Sequence, residues 1–173
     1  MTQINIQLKV NGKDVQGQAN ADISLADFLH EKLGLTGTKV SCGIGICKAC
    51  TVAVSASGDQ GLQRMQACLM PAVGLQGMNI MTVEGLSSGD VLSVQQQALL
   101  SHFSFQCGYC TPGFLMGITL LMDQLKRNPV KYSDLNQTVM DSMGDHLCRC
   151  SGYGKYHDAI KEVLMNTQGL VIR

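Results

Sequence analysis

The chain has 173 residues, 13 basic against 13 acidic side chains for a formal net charge of zero, and eight Cys. A phosphate-binding surface carries a basic excess, so this balance argues against nucleic acid as a partner. Charged residues make up 15% of the chain, against roughly 25% in ordinary soluble domains. So sparse a charge points to a surface covered in part by partner subunits, with a core rich in Met and Gly as the alternative reading.

Ile4, Ile6, Leu8 and Val10 alternate with Gln3, Asn5, Gln7 and Lys9, the period of a half-buried strand. Asn11-Gly12 follows, a hairpin turn that needs φ > 0 twice, and a shorter strand returns through Val15. Ser24 caps a helix whose apolar stripe is Leu25, Phe28, Leu29 and Leu33, with Gly34 at its C-terminal stop. Residues 51–54, 65–69 and 79–83 read as strands. Residues 85–89 read as a linker by composition. Beyond it the pattern is helical throughout: residues 91–100 capped by Asp90; a helix capped by Thr111 with Pro112 at its first position, running to about Lys126; one from Ser133 to Gly144; and one over residues 156–165. The expectation is an α+β chain of two domains, 1–85 and 86–173.

The N-terminus lacks the basic and apolar regions of a signal peptide. No apolar run approaches the ~18 residues of a membrane span. A cytoplasmic protein keeps its thiols reduced, so eight Cys there point to metal rather than disulfides.

The cysteines fall into two quartets. The first is Cys42-x4-Cys47-x2-Cys50 with a distant Cys68, its loop carrying Gly43 and Gly45. This is the spacing of plant-type [2Fe–2S] ferredoxins. Such a cluster needs four thiolates and a loop whose backbone N–H groups approach its sulfurs, which small residues permit. Zinc sites favour paired C-x2-C arms and fit the x4 interval poorly. The second quartet is Cys107-x2-Cys110 and, 37 residues later, Cys148-x-Cys150. A zinc-stabilised module could use it equally well on spacing alone. Placement of both pairs just before helix N-termini favours an anionic iron–sulfur cluster. Thr51 and Thr111 follow the two C-x-x-C pairs, so no c-type haem motif is present. His30, His102, His146 and His157 are scattered and read as surface or capping residues; Met116, Met122, Met140 and Met143 read as core filler.

The order of these blocks carries a resemblance. A ferredoxin-like quartet is followed by Val83-Glu84-Gly85-Leu86, then by Gln106-Cys107-Gly108-Tyr109-Cys110-Thr111-Pro112-Gly113, then by Leu147-Cys148-Arg149-Cys150-Ser151-Gly152-Tyr153. The chain resembles the small iron–sulfur subunit of the xanthine dehydrogenase/aldehyde oxidase family of molybdenum hydroxylases, over nearly its whole length. The resemblance implies a β-grasp ferredoxin domain and a four-helix bundle, each with one [2Fe–2S] cluster. It implies a large partner subunit carrying molybdopterin, and a medium subunit carrying FAD or, in some relatives, a c-type cytochrome. Electrons released by hydroxylation of an aldehyde or N-heterocycle would pass from the helical domain to the ferredoxin domain and on to the acceptor. By the same resemblance Cys150 and Gln106 lie near the pterin; Gln106 has the equal alternative of satisfying loop backbone. A free-standing ferredoxin-like carrier is the competing function, against which the low charge speaks.

One departure stands out. Lys48 occupies a position where the family usually has Gly. A cation there would raise the potential of the neighbouring cluster or meet an acidic partner surface. The interval between the C-x-x-C and C-x-C pairs is also longer than is usual, with the extra residues expected around 126–135.

Overall fold

A computed structural model describes residues 3–56 and 61–173. The N-terminal half is built on a five-stranded sheet in the order β2-β1-β5-β3-β4. Its strands are β1 (Gln3–Val10), β2 (Lys13–Asn20), β3 (Thr51–Ser55), β4 (Gln63–Gln66) and β5 (Asn79–Met81). β1 pairs antiparallel with β2 and parallel with β5, while β3 is antiparallel to both β4 and β5. Alternation in β1 buries Ile6, Leu8 and Val10, as the sequence pattern predicts. Asn11 and Gly12 turn the hairpin at φ 49° and 80°. The returning strand is as long as β1 and pairs with it along its whole length, through Asn20, rather than stopping at Val15.

Ser24 caps the helix as predicted, its hydroxyl accepting from the Asp27 N–H. Only α1 (Leu25–Asp27) is α-helical; residues Phe28–Lys32 continue as a wider π turn. Leu25, Phe28 and Leu29 are fully buried against the sheet, each contributing about 2 kcal/mol of apolar burial. Gly34, at φ 66°, ends the run.

Two predicted strands are shorter than expected. β4 stops at Gln66 because the Ala67 N–H turns to the Cys50 carbonyl and the chain bends to present Cys68. β5 stops at Met81 because Asn11 Oδ1 accepts from the Thr82 N–H, after which Val83–Leu86 forms a 3-10 turn. Part of the expected linker is therefore ordered structure.

The C-terminal half packs α2 (Val94–Ser101), α3 (Thr111–Arg127), α4 (Leu135–Met143) and α5 (Gly154–Asn166) around Leu99, Phe114, Ile118, Leu121, Tyr156 and Ile160. Asp90 does not cap α2. Ser93 does, with Gln96 reaching back to accept from the Ser93 N–H at 2.8 Å, a capping box. The N-caps of α3 and α4 are Cys110 and Asp134, each adjacent to the residue expected from sequence. The half is not wholly helical either. Val130–Lys131 (β6) and Val171–Ile172 (β7) form a short parallel pair that anchors the C-terminus, and β6 occupies the long interval between α3 and α4. Met116 and Met143 are buried as core residues, whereas Met140 is half exposed.

α3 joins the halves. One of its faces enters the helical core; the other places Met116 and Leu120 on Ala53 of β3, with Leu62, Met81, Val83 and Leu86 around them. β3 is consequently buried on both faces, Thr51 to Val54 without alternation. No described helix is long and apolar enough to cross a membrane.

Candidate metal centres

The first quartet lies on the loop between α1 and β3 and on the bend after β4. Gly43 and Gly45 adopt φ 69° and 72°, which lets the loop curl back on itself. Backbone N–H groups of Cys47, Ile44 and Ile46 point at the Cys42 sulfur, the Cys47 N–H at 3.4 Å. These contacts, Cys47 first, pull the Cys42 thiol down to about 6. Such a concavity of N–H groups stabilises negative sulfur. Cys50 is buried beneath the loop, and desolvation pushes its thiol up to about 11. Its Sγ is 3.4 Å from that of Cys68.

The second quartet is gathered by two helix starts. Cys110 caps α3, and the loop before α5 carries Cys148 and Cys150. Cys150 Sγ lies 3.7 Å from Cys107 Sγ, while Cys110 and Cys148 are close enough to influence each other's ionisation. Burial raises the Cys110 thiol to about 12. Burial also opposes ionisation of Cys148, but hydrogen bonds from Ser151 and Cys110 outweigh it and its pKa falls. Tyr153, at φ 68°, folds back so that its hydroxyl accepts from the Cys148 N–H at 3.1 Å. The Tyr156 hydroxyl sits 2.8 Å from Thr111 Oγ1 and 3.6 Å from Cys110 Sγ, with its ring stacked on Phe114.

Each quartet therefore holds one thiol pair in direct contact, Cys50 with Cys68 and Cys107 with Cys150, and its other two thiols, Cys42 with Cys47 and Cys110 with Cys148, influence each other's ionisation. Among the described residues no three His, Cys, Asp or Glu side chains converge as a single ion requires. Two thiolates on one tetrahedral metal at about 2.3 Å lie ~3.8 Å apart. The 3.4 and 3.7 Å separations approach that value and are far from a covalent disulfide. Paired thiols suit a binuclear cluster in which each iron takes two, so the residues fit the [2Fe–2S] group.

The two sites touch. The Cys47 carbonyl accepts from the Leu147 N–H at 3.1 Å, so a residue of the first quartet is hydrogen-bonded to the neighbour of Cys148. Gly113, third in α3, makes this approach possible: a Cβ there would stand 2.3 Å from the Lys48 carbonyl oxygen. Gln106 is exposed, and its Nε2 donates to the Cys150 carbonyl at 3.0 Å. Cys107 and Cys150 are the exposed pair of the second quartet.

Sequence reasoning missed the polar group at this joint. Asp145 receives Arg64 Nη1 on both carboxylate oxygens at 3.2 Å, with Lys48 Nζ 3.7 Å away. His146, read from sequence as a surface or capping residue, is 1% exposed, with Nε2 3.0 Å from the Gly113 carbonyl. Burial, and then the charge of Arg64, lowers its pKa to about 4 and keeps it neutral. The available signal was position: Asp145-His146 stands immediately before the Leu147-Cys148 block.

Two families match the halves in turn. One described as "2Fe-2S iron-sulfur cluster binding domain" matches residues 8–73, and one described as "[2Fe-2S] binding domain" matches residues 82–161. The caffeine dehydrogenase subunit gamma of Pseudomonas sp. (strain CBB1) is 36% identical over 163 residues, covering 94% of this chain and 92% of that protein. The chain belongs to the iron–sulfur subunits of the xanthine dehydrogenase/aldehyde oxidase family of molybdenum hydroxylases. The nicotine 6-hydroxylase small subunit of Paenarthrobacter nicotinovorans is another similar member, 37% identical over 157 residues that cover 91% of this chain and 87% of that one. Among solved structures, quinoline 2-oxidoreductase from Pseudomonas putida 86 superposes with a TM-score of 0.80 at 36% identity, over 92% of this chain and 91% of that chain. Members of this family are subunits of oxidoreductases, which accounts for the two-quartet layout and weighs against the free-standing carrier.

Proposed function

We propose that this chain is the electron relay of a molybdenum hydroxylase complex, with one [2Fe–2S] cluster in each half. The ligands are Cys42, Cys47, Cys50 and Cys68 in a β-grasp, ferredoxin-like domain (residues 1–85), and Cys107, Cys110, Cys148 and Cys150 in a four-helix domain (residues 86–173). The observation that carries the reading is the pairing of thiols in both quartets together with the Leu147-to-Cys47 hydrogen bond that ties them.

When bound, a [2Fe–2S] cluster supplies a site that takes and gives one electron at a time. The chain's own residues do the rest. The N–H groups of Ile44, Ile46 and Cys47 hold negative sulfur at Cys42. Tyr153 holds the Cys148 backbone N–H, and Ser151 stabilises the Cys148 sulfur. Phe114 and Tyr156, stacked and almost fully buried in the helical core, back the second site, with the Tyr156 hydroxyl 3.6 Å from Cys110 Sγ. Gly113 and Leu147 keep the two loops in contact.

The exposed Cys107–Cys150 edge, with Gln106 bonded to Cys150, faces a large molybdopterin-bearing subunit in this reading. The second docking face is the first thiol loop, where Ile44, Ile46 and Leu69 are more than half exposed. It meets a medium FAD-bearing subunit, or alternatively a c-type cytochrome. Apolar side chains around the thiol loop support cover by another chain, as does the sparse charge. Electron flow runs from the helical half to the N-terminal half. The substrate is an aldehyde or an N-heterocycle, oxidised on the large subunit in the cytoplasm. Relatives named for caffeine, nicotine and quinoline support the second class.

Iron and sulfide assay with low-temperature EPR tests the reading. The complex should show two distinct cluster signals. Cys68→Ala should abolish one and retain the other; Cys150→Ala should do the reverse and block reduction of the remaining cluster by substrate. A chain that holds zinc without iron, or loss of both signals in each variant, would refute it.

A further inference from the structure

Lys48 stands inside the first thiol loop, directly after Cys47, in the left-handed region at φ 60°. A side chain there costs about 1 kcal/mol or more relative to Gly, and such strain persists where surrounding contacts impose it. The contacts are specific. The Lys48 ammonium donates to the Gly45 carbonyl of its own loop at 3.0 Å. It also lies 3.7 Å from Asp145, in the other half of the molecule, with the Lys48 side chain only 20% exposed. Asp145 is shared with Arg64, whose Nη2 also donates to the Ser142 carbonyl at 2.6 Å. The cation therefore does not reach outward to an acidic partner. It is turned inward and held across the joint between the two quartets.

Uptake of one electron by a cluster adds one negative charge and needs no proton. A fixed cation against the loop favours that added charge; a fixed carboxylate opposes it. Lys48 touches the loop itself, through Gly45, whereas Asp145 lies beyond it. The two are set against each other with the cation nearer.

We propose that Lys48 sets the reduction potential of the N-terminal cluster, with Asp145 of the helical half as its counter-charge. The drop in potential from one cluster to the next is then determined at the contact that joins them. This rests on the two-cluster reading above.

EPR-monitored redox titration of the complex, purified with its partner subunits, tests it in the Lys48→Gln, Lys48→Arg and Asp145→Asn variants. Lys48→Gln should lower the reduced-to-oxidised ratio of the N-terminal cluster about tenfold at a fixed poise, a midpoint shift of about 59 mV for a one-electron couple. Lys48→Arg should restore it. Asp145→Asn should shift the midpoint upward. If Lys48→Gln does not assemble, the direction of Asp145→Asn decides alone. Full cluster signals with unchanged midpoints would overturn the role of Lys48 and leave the two-cluster reading standing. Wild-type protein without either signal would instead overturn that reading.

Discussion

Replacing Gly113 with Ala should loosen the joint between the two halves. The added methyl would stand 2.3 Å from the Lys48 carbonyl oxygen, 2.9 Å from Ala49 Cα and 3.1 Å from Ala49 O. All three are backbone atoms of the first thiol loop, so no flexible side chain can yield. Ordinary contact begins near 3.4 Å, and relief requires the start of α3 to retreat by about 1 Å. Overpacking of this kind costs about 1–3 kcal/mol. Better helix propensity returns up to about 1 kcal/mol. The net expectation is a loss of about 1–2 kcal/mol, which for a chain of this length lowers the melting temperature by about 3–6 °C. The retreat also stretches the Leu147-to-Cys47 hydrogen bond, which should weaken magnetic coupling between the two cluster signals. The control is Gly154→Ala, the same chemical change at the start of α5, where an added Cβ meets nothing within 4 Å. Thermal unfolding of the loaded complex followed by circular dichroism, with EPR on the same samples, gives both readouts. If Gly113→Ala melts no lower than Gly154→Ala and leaves the coupling intact, the argument from close approach is wrong.

Gln96→Ala should cost about 1 kcal/mol in chemical unfolding by removing the acceptor for the Ser93 N–H, whereas Asp90→Ala should be silent. The pKa of His146 is depressed from 6.5 to about 4, so the unfolded chain binds a proton that the folded chain refuses. Stability from this residue is complete above about pH 6.5 and is lost as pH falls toward 4, by about 2 kcal/mol at pH 5. Denaturant titrations at pH 7.5 and 5 should show a smaller loss in His146→Gln than in wild type; an equal loss would assign the acid sensitivity elsewhere.

Much of the site was legible because its parts are local. Cys42, Cys47 and Cys50 share one loop, and the glycines between them sit at positive φ, as the wrapping of a cluster demands. The hairpin at Asn11-Gly12 and the Ser24 cap depend only on residues within a few positions. Errors arose where a distant residue competed for the backbone. β5 ends early because Asn11, at the end of the adjacent strand β1 but 71 residues away in the chain, takes the Thr82 N–H. Asp90 looked like a cap because the pattern of apolar residues starts at Val91, but the reciprocal bond from Gln96 places the helix start at Ser93.

By itself the sequence determined the two quartets, the order of the five N-terminal strands and of the helices, and the family, since cysteine spacing and apolar periodicity are properties of neighbours along the chain. Tertiary structure decided which thiols pair, since Cys107 meets Cys150 across 43 residues only when α3 and α5 pack. It decided that β3 is buried on both faces, because α3 lays Met116 and Leu120 on Ala53. And it decided that Lys48 turns inward to Asp145 and that His146 is buried and neutral. Charge, burial and separation between residues far apart in the chain are set by packing, and no spacing rule contains them.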